Sequence, residues 1–136
     1  VLASGLKEAR WAEDFDEMPG AKAGKLRVTA TDGIRSTTVE SQSFAVAFKA
    51  PFAWVDDPAS TVVKAGADVV ITGDADDLQD DMIADAKLVW TSSVSGKIGT
   101  GRSIVARLPK GDHVITLTAT NSAGLTDTDT VKLTVQ

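Results

Sequence analysis

Six aspartates fall within one short window, at Asp74, Asp76, Asp77, Asp80, Asp81 and Asp85. Closely spaced carboxylates are the chemistry of a hard cation, because Ca²⁺ takes roughly six to eight oxygen ligands and carboxylates supply them with compensating charge. Asp74, Asp76, Asp77, Asp80 and Asp81 are therefore candidate calcium ligands, and calcium is the one cofactor the sequence suggests. The window has neither the mid-loop glycine nor the closing glutamate of an EF-hand loop, and the competing reading is a solvated acidic turn. Two further pairs, Asp127 with Asp129 and Asp56 with Asp57, offer a second, interdomain cation site if the strand ends bring them together.

The inventory for catalysis is thin. The chain has one histidine, His113, with no cysteine and no tyrosine, and it contains neither a Gly-x-Ser-x-Gly elbow nor a His-Glu-x-x-His helix. His113 follows Gly111-Asp112 at the start of a strand and reads as a strand-edge residue. A general base needs a nucleophile within hydrogen-bond reach, and the sequence offers nothing beyond a surface serine such as Ser103. Paired carboxylates for glycoside hydrolysis can be drawn from the aspartates, but nothing sets their separation. Gly96-Lys97-Ile98-Gly99-Thr100-Gly101 lacks the Lys-Ser/Thr ending of a phosphate loop and no helix follows it, so it reads as a loop between strands. No enzymatic activity is expected. Trp11 and Phe15 suit the inner row of a strand; exposed, they would contact sugar, as would Phe52 and Trp54.

These residues must be positioned by strands. Threonine and valine are abundant, long helix-forming stretches are scarce, and period-two alternation recurs along the chain. The first 50 residues and the last 30 resemble each other. Met18-Pro19 followed by Leu26-Arg27-Val28-Thr29-Ala30-Thr31-Asp32-Gly33 matches in kind Leu108-Pro109 followed by Ile115-Thr116-Leu117-Thr118-Ala119-Thr120-Asn121. The step from Ala30 to Val46 equals that from Ala119 to Val135, so each copy reads as a β-hairpin turning at Asp32-Gly33 or at Asn121 to Gly124. The alternation predicts an inward row of Leu26, Val28 and Ala30 against Phe44, Val46 and Phe48. It predicts a second row of Ile115, Leu117 and Ala119 against Val131, Leu133 and Val135.

Upstream of the second hairpin, strands are expected near Thr61 to Lys64, Asp68 to Gly73, Ala86 to Ser92 and Ser103 to Leu108, with Trp90 filling the core. The first hairpin has no such upstream complement. The expected organisation is all-β: residues 1–50 the C-terminal part of one immunoglobulin-like sandwich, 51–58 a proline-flanked linker in which Phe52 or Trp54 packs, and 59–136 a complete antiparallel sandwich.

In Gly73-Asp74-Ala75-Asp76-Asp77, Leu88-Val89-Trp90-Thr91-Ser92, the glycine-rich stretch 96–101 and Gly111-Asp112-His113 running on to Thr120, the chain resembles bacterial PKD-like and immunoglobulin-like modules of secreted peptidases, glycosidases and surface adhesins. The resemblance covers nearly the whole chain. It implies an extracellular or cell-surface, non-catalytic spacer or interaction module, whose partners are other domains of the same parent chain and a protein or polysaccharide surface; the alternative it leaves open is a carbohydrate-binding or calcium-dependent adhesive repeat. The aspartate usual in the family after the Ala-Thr pair is here Asn121, which removes a charge from any cation site at that end, while the first copy keeps Asp32. A net charge of −5 without clustered Lys and Arg argues against nucleic-acid partners. No apolar run reaches the roughly 18 residues of a membrane span, and the start at Val1 without a leader reads as an internal fragment.

Overall fold

Local turn chemistry and strand alternation act differently in the two halves of this chain. The computed structural model describes residues 2–7, 12, 14–58 and 61–136; Trp11 lies outside them. The chain divides into two units, Val1–Val46 and Ala47–Gln136.

In the first unit, β1 (Ala21–Gly24), β2 (Arg27–Thr31), β3 (Ser36–Glu40) and β4 (Phe44–Val46) form two antiparallel pairs, β1 with β4 and β2 with β3. The β2–β3 turn is organised by Asp32, whose Oδ1 accepts hydrogen bonds from the amides of Arg35 at 2.7 Å and Ile34 at 2.9 Å. Those amides, Arg35 first, hold the Asp32 carboxyl below its ordinary value. Every residue of β2 and β3 is exposed. Cross-strand support comes from the Thr29–Thr38 hydroxyls at 3.1 Å and from an Arg27–Glu40 ion pair at 2.7 Å.

The expected first-hairpin register is corrected here. Val28 faces Val39, not the Phe44–Val46 strand, and both valines are exposed; Phe44 and Val46 pair instead with Gly24 and Ala21. The intervening Ser36-Thr37-Thr38-Val39-Glu40 has little apolar content, yet the tight turn at Asp32 delivers it to β2 and its backbone completes that ladder. Phe15 stands edge-on to Phe44 with centroids 5.6 Å apart, a contact that half-buries both rings.

The second unit is built from β5 (Phe52–Asp57), β6 (Val62–Val63), β7 (Val69–Asp76), β8 (Leu88–Ser92), β9 (Gly96–Thr100), β10 (Ser103–Ala106), β11 (Gly111–Thr120) and β12 (Thr126–Val135), with a 3-10 turn at Asp85–Lys87. One sheet has the order β10-β7-β5; the other has the order β6-β12-β11-β8-β9, in which only β6 runs parallel to its neighbour. Period-two alternation sends Ile71 and Ala75 of β7, Leu88 and Trp90 of β8, Ile115, Leu117 and Ala119 of β11, and Leu133 and Val135 of β12 into one shared core. The second hairpin thus buries the expected row, with Ile115 directly opposite Val131 and His113 opposite Leu133.

Trp90 is fully buried and its indole N–H donates to the Gly101 carbonyl at 2.8 Å, so its one polar atom is satisfied. Gly73 makes room for it. A Cβ at Gly73 would lie 2.5 Å from the Trp54 carbonyl oxygen and 3.0 Å from the Trp90 ring, so β7 crosses this ring only as glycine.

Two expected loops are strands. The glycine-rich stretch contains β9, paired with β8, and the expected linker 51–58 contains β5, an edge strand paired with β7. Pro51 and Pro58 flank β5 and do not interrupt it, while Ala53 and Val55 point inward. The unit boundary therefore falls at Val46–Ala47, ahead of both prolines. Among the described residues, no helix is long and apolar enough to cross a membrane.

Candidate functional site

Three groups of polar or aromatic side chains in the second unit have the makings of a site. The first is the aspartate window. Asp74 and Asp76 lie on the outer side of β7, and Asp77, Asp80 and Asp81 in the loop that follows. Asp74 accepts from Arg102 Nε at 2.8 Å, and Arg102 also reaches Asp85 and donates to the Ile83 carbonyl at 2.9 Å. The bond to Asp74 is the first cause raising the Arg102 guanidinium above its ordinary value.

Asp77 is occupied by donors on both oxygens. Its Oδ1 accepts from the Gln79 amide at 2.8 Å, the Asp80 amide at 2.9 Å and Gln79 Nε2 at 3.0 Å, and its Oδ2 accepts from Asn121 Nδ2 at 2.8 Å. Asp80 accepts from the backbone and hydroxyl of Ser122, both at 2.7 Å, with the hydroxyl the larger cause that lowers its carboxyl below the ordinary value. Asp81 is exposed. Of the expected ligands, Asp74, Asp77 and Asp80 thus accept from separate protein donors while Asp76 and Asp81 are exposed, and among the described residues no group of three or more His, Cys, Asp or Glu side chains is arranged to hold a metal ion.

Asn121 ties the loop to its neighbours. Fully buried, it donates from Nδ2 to the Lys49 carbonyl at 2.7 Å as well as to Asp77, and its Oδ1 accepts from the Leu125 amide at 2.9 Å. Gln79 ties the same backbone, donating to the Lys49 carbonyl at 2.9 Å and accepting from the Lys49 amide at 3.2 Å. The chain leading into β5, the aspartate loop and the β11–β12 turn are joined by the side-chain amides of Asn121 and Gln79. Asp127 and Asp129 do not meet Asp56 and Asp57 as cation ligands. They accept from the Ala53 amide at 2.9 Å and the Val55 amide at 2.8 Å, closing the free edge of β5.

The second group was not singled out from the sequence. His113 is buried rather than at a strand edge, and its Nδ1 lies 2.8 Å from Ser92 Oγ, a serine–histidine pair at nucleophile–base distance. Its Nε2 lies 2.8 Å from the Pro109 carbonyl, which only accepts, so Nε2 carries the proton and Nδ1 accepts from the serine hydroxyl. Ser92 Oγ also accepts from the amides of Val94 at 3.2 Å and Ser95 at 3.3 Å. The serine is 4% exposed and the histidine 2%, and every hydrogen-bonding position on the hydroxyl is used. The signal was available: Ser92 continues the inward row of Leu88 and Trp90, and His113 that of Ile115. Ser103, the serine singled out from the sequence, stands on β10 in the opposite sheet, exposed.

The third group is Phe52 and Trp54. Two residues apart on β5, they share its outer face and stack with centroids 6.1 Å apart and planes 29° from parallel; Phe52 is 67% exposed.

The likeness to known proteins lies in the fold. A chain from the structures of Clostridium thermocellum CbhA fibronectin(III)-like modules superposes with a TM-score of 0.55 at 23% identity, covering 85% of this chain. The fold is immunoglobulin-like. The chain spans 64% of the length of that neighbour. No family model and no curated protein sequence matches it.

Proposed function

We propose that this chain is a non-catalytic immunoglobulin-like module of a larger extracellular or cell-surface protein, acting as a spacer or interaction domain. The observation that carries the reading is the use made of the buried polar groups. Ser92 and His113 are spent on each other and on backbone, and Asn121 on Asp77 and on backbone, inside the second unit, and among the described residues no buried side-chain nitrogen or oxygen lacks a partner. A polar network that is complete within the fold rigidifies it and leaves none of these buried groups free for chemistry. The likeness to fibronectin(III)-like modules supports a module of a larger chain, with neighbouring domains as partners. Within the immunoglobulin-like class, the finer PKD-like reading rests on Gly73 to Asp77, Trp90 and the Gly111 to Thr120 strand.

The test is direct. The whole chain, assayed against ester, peptide, glycoside and phosphodiester substrates, shows no turnover. Ser92→Ala lowers stability by about 1–3 kcal/mol, because it strands the His113 ring nitrogen and two amides. Turnover by the wild-type chain that disappears in Ser92→Ala would overturn the reading.

A further inference from the structure

We infer that the outer face of β5 and β7 is a binding platform for a neutral polysaccharide chain, with the Phe52 and Trp54 rings as its floor. The inference rests on the reading of the chain as an interaction module and names the ligand class. Strand alternation puts Ala53 and Val55 into the core and leaves both rings on the outer face, stacked, with Phe52 exposed and Trp54 half-buried. The face of an aromatic ring is its negative side, and it receives the weakly positive C–H face of a sugar. Polar groups surround the rings: Asp76 stands opposite Phe52 and Asp74 opposite Trp54 across the β5–β7 ladder. Further along the same face, Thr72 donates its hydroxyl to Asp57 at 3.0 Å.

The charge on this face selects the ligand. Asp74 is already paired with Arg102 at 2.8 Å, so the border beside the rings carries both donors and acceptors. A basic peptide would compete with Arg102 for that carboxylate, whereas sugar hydroxyls both give and accept hydrogen bonds and bring no charge. An added strand from a second copy is opposed by the β5 edge, whose Ala53 and Val55 amides are held by Asp127 and Asp129. A flat apolar partner is opposed by the carboxylates of β7 directly beside the rings. Flat sugar rings bordered by hydroxyls fit both the aromatic floor and the mixed border.

The experiment uses the whole 136-residue chain in native gels containing neutral soluble polysaccharides (mixed-linkage β-glucan, xylan, galactomannan and dextran), with insoluble cellulose in parallel. At least one retards or retains the wild type. Phe52→Ala and Trp54→Ala each weaken that retention by about tenfold, the loss of one stacking surface, and Trp54→Phe restores part of it. Phe52→Ala keeps the wild-type melting temperature within error, since that ring is exposed, and the Trp54 variants are compared at a temperature where circular dichroism shows them folded. No retention on any neutral polysaccharide overturns the inference, as does equal retention of the alanine variants. Retardation by polylysine or heparin alone, or ring-dependent self-association in sedimentation, also overturns it. Absence of binding leaves the spacer reading standing; only substrate turnover removes that.

Discussion

The hairpins β2–β3 and β11–β12 are written in the same vocabulary and put to different uses. Both are rich in threonine, both alternate, and in both an Asx side chain closes the turn, Asp32 onto the Ile34 and Arg35 amides and Asn121 onto the Leu125 amide. Yet β2 and β3 are exposed along their whole length, whereas Ile115, Leu117 and Ala119 are fully buried. Turn and pairing are local properties that a hairpin carries with it. Burial is not: it requires a second sheet, and in the second unit β7, β5 and β10 supply one.

The largest effect that tests this contrast comes from the core. Leu117→Ala opens a cavity against Trp90, its direct partner in β8, and is expected to cost about 2–5 kcal/mol in urea unfolding of the second unit. Val28→Ala, at the matching position of the other hairpin, removes an exposed side chain and costs within about 0.5 kcal/mol. Amide exchange sharpens the comparison, with β11 amides opening only on unfolding of the unit and β2 amides opening locally. Equal losses from the two substitutions would mean that the β2–β3 face is covered in solution.

A smaller effect probes the edge of the buried sheet. Asp127 and Asp129 occupy the inward row of β12, where Val131, Leu133 and Val135 continue, but at that end they reach the β5 amides instead of filling core. Asp129→Ala frees the Val55 amide and is expected to cost about 1 kcal/mol. Asp129→Asn keeps an accepting oxygen and costs less. The double alanine variant leaves two free amides on an edge strand and self-associates in sedimentation at concentrations where the wild type does not. If Asn and Ala prove equivalent, the carboxylate is not what closes this edge.

These contrasts mark where sequence reading works. The β11 and β12 rows, Trp90 and the sandwich were legible because a half-buried strand writes its burial into alternate residues. Four strands were passed over for four reasons. Flanking prolines and terminal aspartates disguised β5, glycines disguised β9, Ser36 to Glu40 carries almost no apolar residue, since β3 buries none, and β1 is a short Ala-Lys-Ala-Gly with no large apolar side chain. The aspartate window was visible but not its assignments. Whether Asp77 meets a cation or the Asn121 amide depends on a residue 44 positions away, and spacing along the chain does not encode that approach. The Ser92–His113 contact was hidden likewise, because each residue reads as an interruption of an apolar row until the β8–β11 register brings them together.

The smallest effect lies in the two turns themselves. Asp32 and Asp80 both have carboxyls held below the ordinary value of 3.8, Asp32 first by the Arg35 amide and Asp80 first by the Ser122 hydroxyl. A carboxyl with a depressed folded value stabilises the fold in full above its unfolded value, and that contribution is lost as pH falls through the folded value. Ser122→Ala should therefore raise the Asp80 titration toward 3.8 and leave that of Asp32 unmoved, read from the side-chain carboxyl carbons by NMR. The difference in melting temperature between Ser122→Ala and wild type should be constant from neutral pH down to about 4, shrink below that, and vanish once Asp80 is protonated in the folded chain. A difference that persists unchanged at the acid end would assign the loss to the serine's packing instead of to its hydrogen bond with the carboxylate.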